Sequence, residues 1–300
     1  MAALLFALLL VAPGIVHAWK VMEISECVVT GDPHIYQYDS DKDVQSQSFR
    51  VSTSCTYVLT SSGCTLDTYE DPHFCVVGAF DRDDPNEPAT SVHKVEGFIH
   101  INGILLGIRV SRGLHDIRIW NDSHPNNTWE SVGNAAQVMQ KPFIIRGNLI
   151  FARGGDKLPA RWGFKSGSTV VSVVLKNGIN FMYDGQRRVK IEVPPEVKEN
   201  LCGLCGNRDK DRLNDDRIGP LFATSKDCQG LCENSPYDLD YNFGDKARIM
   251  QDFVNSWYYE GAIKGSRCAA EWGKVVLAFW QIYRRIKMTS TPSPALKYSS

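Results

Sequence analysis

Oxygen-bearing side chains alternate along one short stretch of the chain: Asn207, Asp209 and Asp211, followed by Asn214, Asp215 and Asp216. Calcium takes about six to eight oxygen ligands in a flexible geometry, and such alternation can wrap a loop around one ion. The stretch is not an EF-hand, because Arg212 stands where the required glycine would be and Ile218 where the bidentate glutamate would be. The competing reading is a solvated charged turn, with Arg208, Lys210 and Arg212 neutralising the acids.

Just before it lies Cys202-Gly-Leu-Cys205, which admits three readings. The pair is a redox-active dithiol, or half of a four-cysteine zinc site with Cys228 and Cys232, or two structural half-cystines. A third chemical segment is Gly31-Asp32-Pro33-His34. An Asp-Pro bond is acid-labile, since the carboxyl attacks its own carbonyl while proline leaves, and His34 is placed to shuttle the proton. The plainer reading is a turn whose rigid proline feeds a strand. A near-echo, Glu70-Asp71-Pro72-His73, reads as coincidence.

The elements that must position these residues are mostly strands. Phe98 to Ile101, Asn102-Gly103 and Ile104 to Val110 form two apolar-alternating runs around an Asn-Gly pair, the pattern of a type I′ hairpin. It recurs around Asn177-Gly178. Asp116 to Trp120 and Phe143 to Ala152 are further β-branched runs, and helical periodicity is nearly absent before about residue 235. A mainly β fold follows, an antiparallel sandwich or barrel. After Pro236 the pattern changes. Ile249, Phe253 and Trp257 share one helical face, and Trp272, Val276 and Tyr283 another. Gln281, Arg284 and Arg285 interrupt the second run, so it is not a membrane span.

Residues 1–18 are an apolar run ending Val16-His17-Ala18, which reads as a signal peptide cleaved before Trp19. The nine cysteines are then bridges before they are metal ligands, and an odd count leaves one over, a route to pairing with another copy. Asn121 and Asn126 are glycosylation acceptors in a polar stretch. The 33 basic and 34 acidic residues nearly cancel, which argues against a nucleic-acid or acidic-membrane partner. No catalytic motif is found: no His-Glu-x-x-His, Gly-x-Ser-x-Gly, phosphate loop or dinucleotide fingerprint.

Two segments carry a family resemblance. One is Cys27-Val-Val-Thr-Gly31-Asp32-Pro33-His34-Ile-Tyr-Gln-Tyr-Asp39 with Cys55 following, and the other Cys202-Gly-Leu-Cys205-Gly206-Asn207-Arg-Asp209 to Asp216. In this order, across a β-rich stretch, they resemble the opening and closing signatures of the von Willebrand factor type D family. The resemblance covers roughly Glu23 to Cys232, and Phe253-Val-Asn-Ser-Trp257 fits how such modules continue.

The resemblance implies a calcium site of Asp39, Asn207, Asp209, Asn214 and Asp215 with the Asp211 carbonyl. It also implies disulfides Cys27–Cys205 and Cys64–Cys202, with Cys55 reaching Cys228 or Cys232. Cys75 and Cys268 have no assigned partner. In some relatives Asp32-Pro33 is a self-cleavage site assisted by His34. The expected organisation is a signal peptide at 1–18, a type D domain at 19–235, a helical C-terminal region at 236–288 and a disordered tail at 289–300.

The expected role is a secreted, calcium-binding extracellular protein acting without catalysis in adhesion, matrix assembly or binding of another secreted protein. The alternatives are an oxygenase of the kind found in some marine luciferases that contain type D modules, or a lipid- or growth-factor-binding regulator.

Overall fold

The computed structural model describes residues 24–31, 33–41, 48–51, 55–62, 73–83, 90–123, 128–212, 215, 253–254 and 257. The expected signal peptide and tail lie outside these residues, as does the helical C-terminal region apart from Phe253, Val254 and Trp257.

Strands β1 (Ser25–Thr30), β2 (His34–Tyr36) and β3 (Phe49–Arg50) open the fold. The chain then crosses to a second sheet built as a meander. Its strands are β4 (Thr56–Ser61), β5 (Phe74–Arg82), β6 (Thr90–Ile101), β7 (Ile104–Ser111), β8 (Ile117–Asn121) and β9 (Glu130–Gly133). It returns through helix α1 (Ala135–Gln140) to β10 (Phe143–Ile145), β11 (Asn148–Gly154), β12 (Thr169–Val174), β13 (Asn180–Tyr183) and β14 (Val189–Val193). The eight-stranded sheet has the order β10-β11-β12-β13-β14-β1-β2-β3. Every strand pair in both sheets is antiparallel.

Alternation decides which face of each strand is buried. Val171 and Val173, Phe181 and Tyr183, and Val189, Ile191 and Val193 turn inward from the larger sheet. They meet Leu59, Phe98, Leu106 and Ile108 of the smaller sheet in one continuous core. Burying each such side chain stabilises the fold by about 1.5–3 kcal/mol. The sheets pack tightly where Gly97 faces Phe181, since a Cβ there would lie 2.3 Å from the Phe181 ring. The architecture is the expected antiparallel sandwich.

The Asn102-Gly103 hairpin forms as read, with φ of 52° and 76° at the two turn residues and Ile101 paired with Ile104. The Asn177-Gly178 turn is of another kind. Only Gly178 has positive φ, and Gly178 N donates to Leu175 O. The run read from Phe143 to Ala152 breaks at Arg146-Gly147, with φ of 50° and 85°, into the β10–β11 hairpin. Helix α1 is a short helix within the stretch where helical periodicity is nearly absent. Asn134 and Gln137 close it with a reciprocal capping box.

Candidate calcium site

The topology places β14 beside β1, with Cys27 opposite Ile191. The chain leaving β14 is therefore delivered next to the start of the fold. It runs onto the open edge of β4, where Leu204 N donates to Val58 O and Cys205 N to Leu59 O. Cys202 and Ser61 exchange backbone bonds there as well. Cys205 is then fixed to Cys27 by a disulfide with Cα atoms 5.6 Å apart.

The turn after β2 lies against this segment. Tyr38 N donates to Cys205 O at 2.9 Å, and Gln37 Nε2 donates to Asp215 O at 3.4 Å. Burial pushes the Tyr38 phenol well above its ordinary pKa, partly offset by a hydrogen bond with Thr60 and by the Arg208 charge.

The loop that follows coils on its own side chains. Arg208 and Lys210 take positive φ, 64° and 74°. The intervening side chains fold back as Asx turns: Asp209 N donates to Asn207 Oδ1 at 3.2 Å, and Asp211 N to Asp209 Oδ1 at 2.7 Å. Asp215, only 2% exposed, accepts from Asn207 N at 3.0 Å. Gly206 makes room for it, since a Cβ at that residue would collide with the Asp215 carboxylate. Asp39 Oδ2 accepts from Lys210 N at 3.0 Å.

Asp39, Asn207, Asp209 and Asp215 are thus brought to one loop, and every donor they offer is oxygen, which suits calcium. Asn214 lies outside the described residues. Among the described residues no group of three or more His, Cys, Asp or Glu is close enough to hold a metal, so the amide and carbonyl oxygens would have to complete a coordination shell. The charged-turn alternative assigned Arg208 to the acids, but its guanidinium donates to the carbonyls of Pro194 and Val197.

The cysteine readings resolve. Cys205 bonds to Cys27, and Cys202 is disulfide-bonded elsewhere, so the pair is neither a dithiol nor a zinc half-site. Cys55 and Cys75 are also disulfide-bonded, so Cys75, left without an assigned partner by the sequence, has one. The partners of Cys55, Cys75 and Cys202 lie outside the described residues. Cys64, Cys228, Cys232 and Cys268 lie outside the described residues.

Gly31, at φ 69°, and Pro33 lie in the β1–β2 turn, whose flanking residues Thr30 and His34 pair. His34 Nδ1 sits 3.1 Å from Ser48 Oγ. Asp32 lies outside the described residues. Asn121 ends β8 opposite Leu106, and Asn126 is not among the described residues.

Sequence reasoning missed a second polar cluster. Asp83, at the end of β5, accepts hydrogen bonds from Ser91 Oγ at 2.5 Å and from both terminal nitrogens of Arg112. His93 Nε2 lies 3.2 Å away, and Arg187, from the β13–β14 turn, reaches the same carboxylate at 3.7 Å. Beside it Gly113 N donates to Gly185 O, tying the two sheets together. Burial alone would raise the Asp83 pKa. The hydrogen bonds from Arg112, Ser91 and His93, with the Arg112 charge, outweigh it and hold the carboxyl well below the ordinary carboxylate range.

A carboxyl whose pKa is lower folded than unfolded stabilises above the unfolded value, near pH 4, and loses that contribution as pH falls toward the folded value. Asp83→Asn should therefore cost about 1–2 kcal/mol at pH 7, with the deficit shrinking as pH drops below about 4. Denaturant midpoints of both proteins at pH 7 and pH 3 check this. An equal deficit at both would refute the linkage.

Among the described residues no helix is long and apolar enough to cross a membrane. Residues 27–218 match the von Willebrand factor type D domain. Human IgGFc-binding protein is 24% identical over 248 residues, covering 71% of this chain and 4% of that protein. Mouse zonadhesin is 26% identical over 189 residues, covering 63% of the chain and 3% of its own length. Pig zonadhesin is 23% identical over 221 residues, 70% of the chain and 7% of that protein. The chain thus spans only a small part of the length of these relatives. With residues 27–218 of the 300 matched to the family's domain and the motif residues gathered at the β1–β14 junction, the chain belongs to the von Willebrand factor type D domain family.

Proposed function

We propose that this chain is a secreted, calcium-stabilised binding module, acting without catalysis in adhesion, matrix assembly or capture of another extracellular protein. The observation that carries the reading is the buried Asp215 carboxylate, seated under Asn207 N in a loop that Asp39 ties to the β2 turn. Asp39, Asn207, Asp209, Asn214, Asp215 and the Asp211 carbonyl would hold the ion. Calcium would neutralise the gathered carboxylates and join the loop to the turn. Relatives whose names state binding and adhesion support the wider role. The odd number of cysteines offers a route to covalent self-association, and acid cleavage at Asp32-Pro33 would leave two fragments joined through Cys27–Cys205.

Titration of calcium into the disulfide-intact, chelator-stripped protein tests the reading. One equivalent of calcium should bind and resist competition by equimolar magnesium, which demands smaller, near-octahedral geometry. Absence of binding at millimolar calcium would remove the site from the proposal.

A further inference from the structure

The near-zero total charge conceals a segregation. Between Ala135 and Lys190 ten Lys or Arg stand against two Asp or Glu, so the remainder of the chain is net acidic. Six of them, Lys141, Arg146, Arg153, Lys157, Lys165 and Lys176, lie on or beside β10–β12 at one end of the larger sheet, whereas Arg187, Arg188 and Lys190 lie at β13–β14. Ile150 and Ala152 of β11 turn into the core, so Leu149, Phe151 and Arg153 face outward. Ile144 pairs with Leu149, and Leu149 with Val174. The outer face thus carries Ile144, 70% exposed, beside the half-buried Leu149, Phe151 and Val174.

Cations bound this apolar strip at both ends. At one end Arg146 occupies the β10–β11 turn, and Lys176 lies against it, its Cγ 3.3 Å from where a Gly147 Cβ would be. At the other end the Arg153 guanidinium lies 4.8 Å from the Phe151 ring centroid. Lys157 and Lys165 join it there, in a segment closed by the Gly155 N to Ser168 O bond. Strand β11 separates the two ends by about 20 Å. Among the described residues no carboxylate pairs with Arg146, Arg153, Lys165 or Lys176, and Lys157 meets only its neighbour Asp156.

Uncompensated cations spread along an exposed sheet face, with apolar side chains between them, complement a linear polyanion better than a small ligand, which needs a concave site. We propose that the outer face of β10–β12 binds a sulfated extracellular polysaccharide. The disulfides at Cys27, Cys55, Cys75, Cys202 and Cys205 indicate an oxidising compartment. Anionic phospholipid is concentrated on the cytoplasmic leaflet, so a membrane surface is the less suited polyanion. The inference names a partner class for the extracellular binding module and rests on that reading, but it does not need calcium.

The test uses the full disulfide-intact chain and immobilised heparin. With a formal net charge of −1, retention at neutral pH reports the patch and not the total. The chain should be retained at physiological salt and released as salt rises. Arg146→Glu with Lys176→Glu, and separately Arg153→Glu with Lys165→Glu, should each weaken binding by about tenfold or more and flatten its salt dependence. Lys198→Glu, exposed on another part of the surface, should leave binding unchanged. Melting curves confirm that the variants fold.

No retention at low salt would overturn the proposal, as would retention that both double variants keep. Equal binding to non-sulfated hyaluronan, or binding to phosphatidylserine vesicles but not to heparin, would also overturn it. A chain that binds calcium but not heparin loses the polysaccharide and keeps the calcium site. Heparin binding that survives chelation, in a chain that binds no calcium, does the reverse.

Discussion

Replacing Cys27 and Cys205 together by alanine is expected to lower the melting temperature by about 10 °C. The bond closes a loop of sequence separation 178, and chain entropy alone assigns such a closure about 5 kcal/mol. The bridges at Cys55, Cys75 and Cys202 already shorten the effective loop, so about 3–4 kcal/mol is the realistic loss. Both cysteines are fully buried, which makes alanine a better replacement than serine, whose hydroxyl would need a partner. The variant has a local effect too. Cys205 anchors the segment that leads into the 207–215 loop, so calcium affinity should fall with stability. Calorimetry and a calcium titration on the same preparation measure both. A drop of only about 2 °C would mean that the β4 edge bonds from Leu204 and Cys205 hold the segment without the bridge.

Chelation should lower the melting temperature of the intact protein by about 5–10 °C, because calcium at about 100 times its dissociation constant adds about 2.7 kcal/mol to the native state. Asp215→Asn sharpens the measurement. Asparagine keeps an oxygen for the Asn207 N–H, while it removes the charge and replaces the second oxygen by an NH2 group. The variant should melt close to the chelated wild type and gain nothing from added calcium. An unchanged wild-type curve under chelation would reject the ion, and a full calcium shift in Asp215→Asn would reject Asp215 as a ligand.

Where the chain wrote its structure into short-range pattern, the pattern was readable. Ile104 to Val110 alternates cleanly, and Asn102-Gly103 can take positive φ at both turn residues, so the β6–β7 hairpin follows from a few residues. The Arg146-Gly147 turn has the same geometry but places arginine in the left-handed region, which no propensity rule favours. Helix α1 spans six residues, too few for a 3.6-residue period to register. Its one available signal was the capping pair Asn134 and Gln137.

At the candidate site, the alternation from Asn207 to Asp211 announces itself, whereas Asp39 is some 170 residues away in sequence and was reached only through the family resemblance. The Asp83 cluster assembles Ser91, His93, Arg112 and Arg187 from separate parts of the fold, and no local pattern encodes that meeting. Total charge was likewise blind to the basic face, because opposite excesses elsewhere cancel it.

The adjacency of β1 and β14, closed by Cys27–Cys205, has a mechanical consequence. Tension applied through the chain on either side of those two cysteines passes directly across the sulfur–sulfur bond. The residues between them, a separation of 178, then bear no load and cannot be drawn out. Under pulling the module is a short covalent link, and reduction of that one bond would pass the load to the strands and to the bridges at Cys55, Cys75 and Cys202.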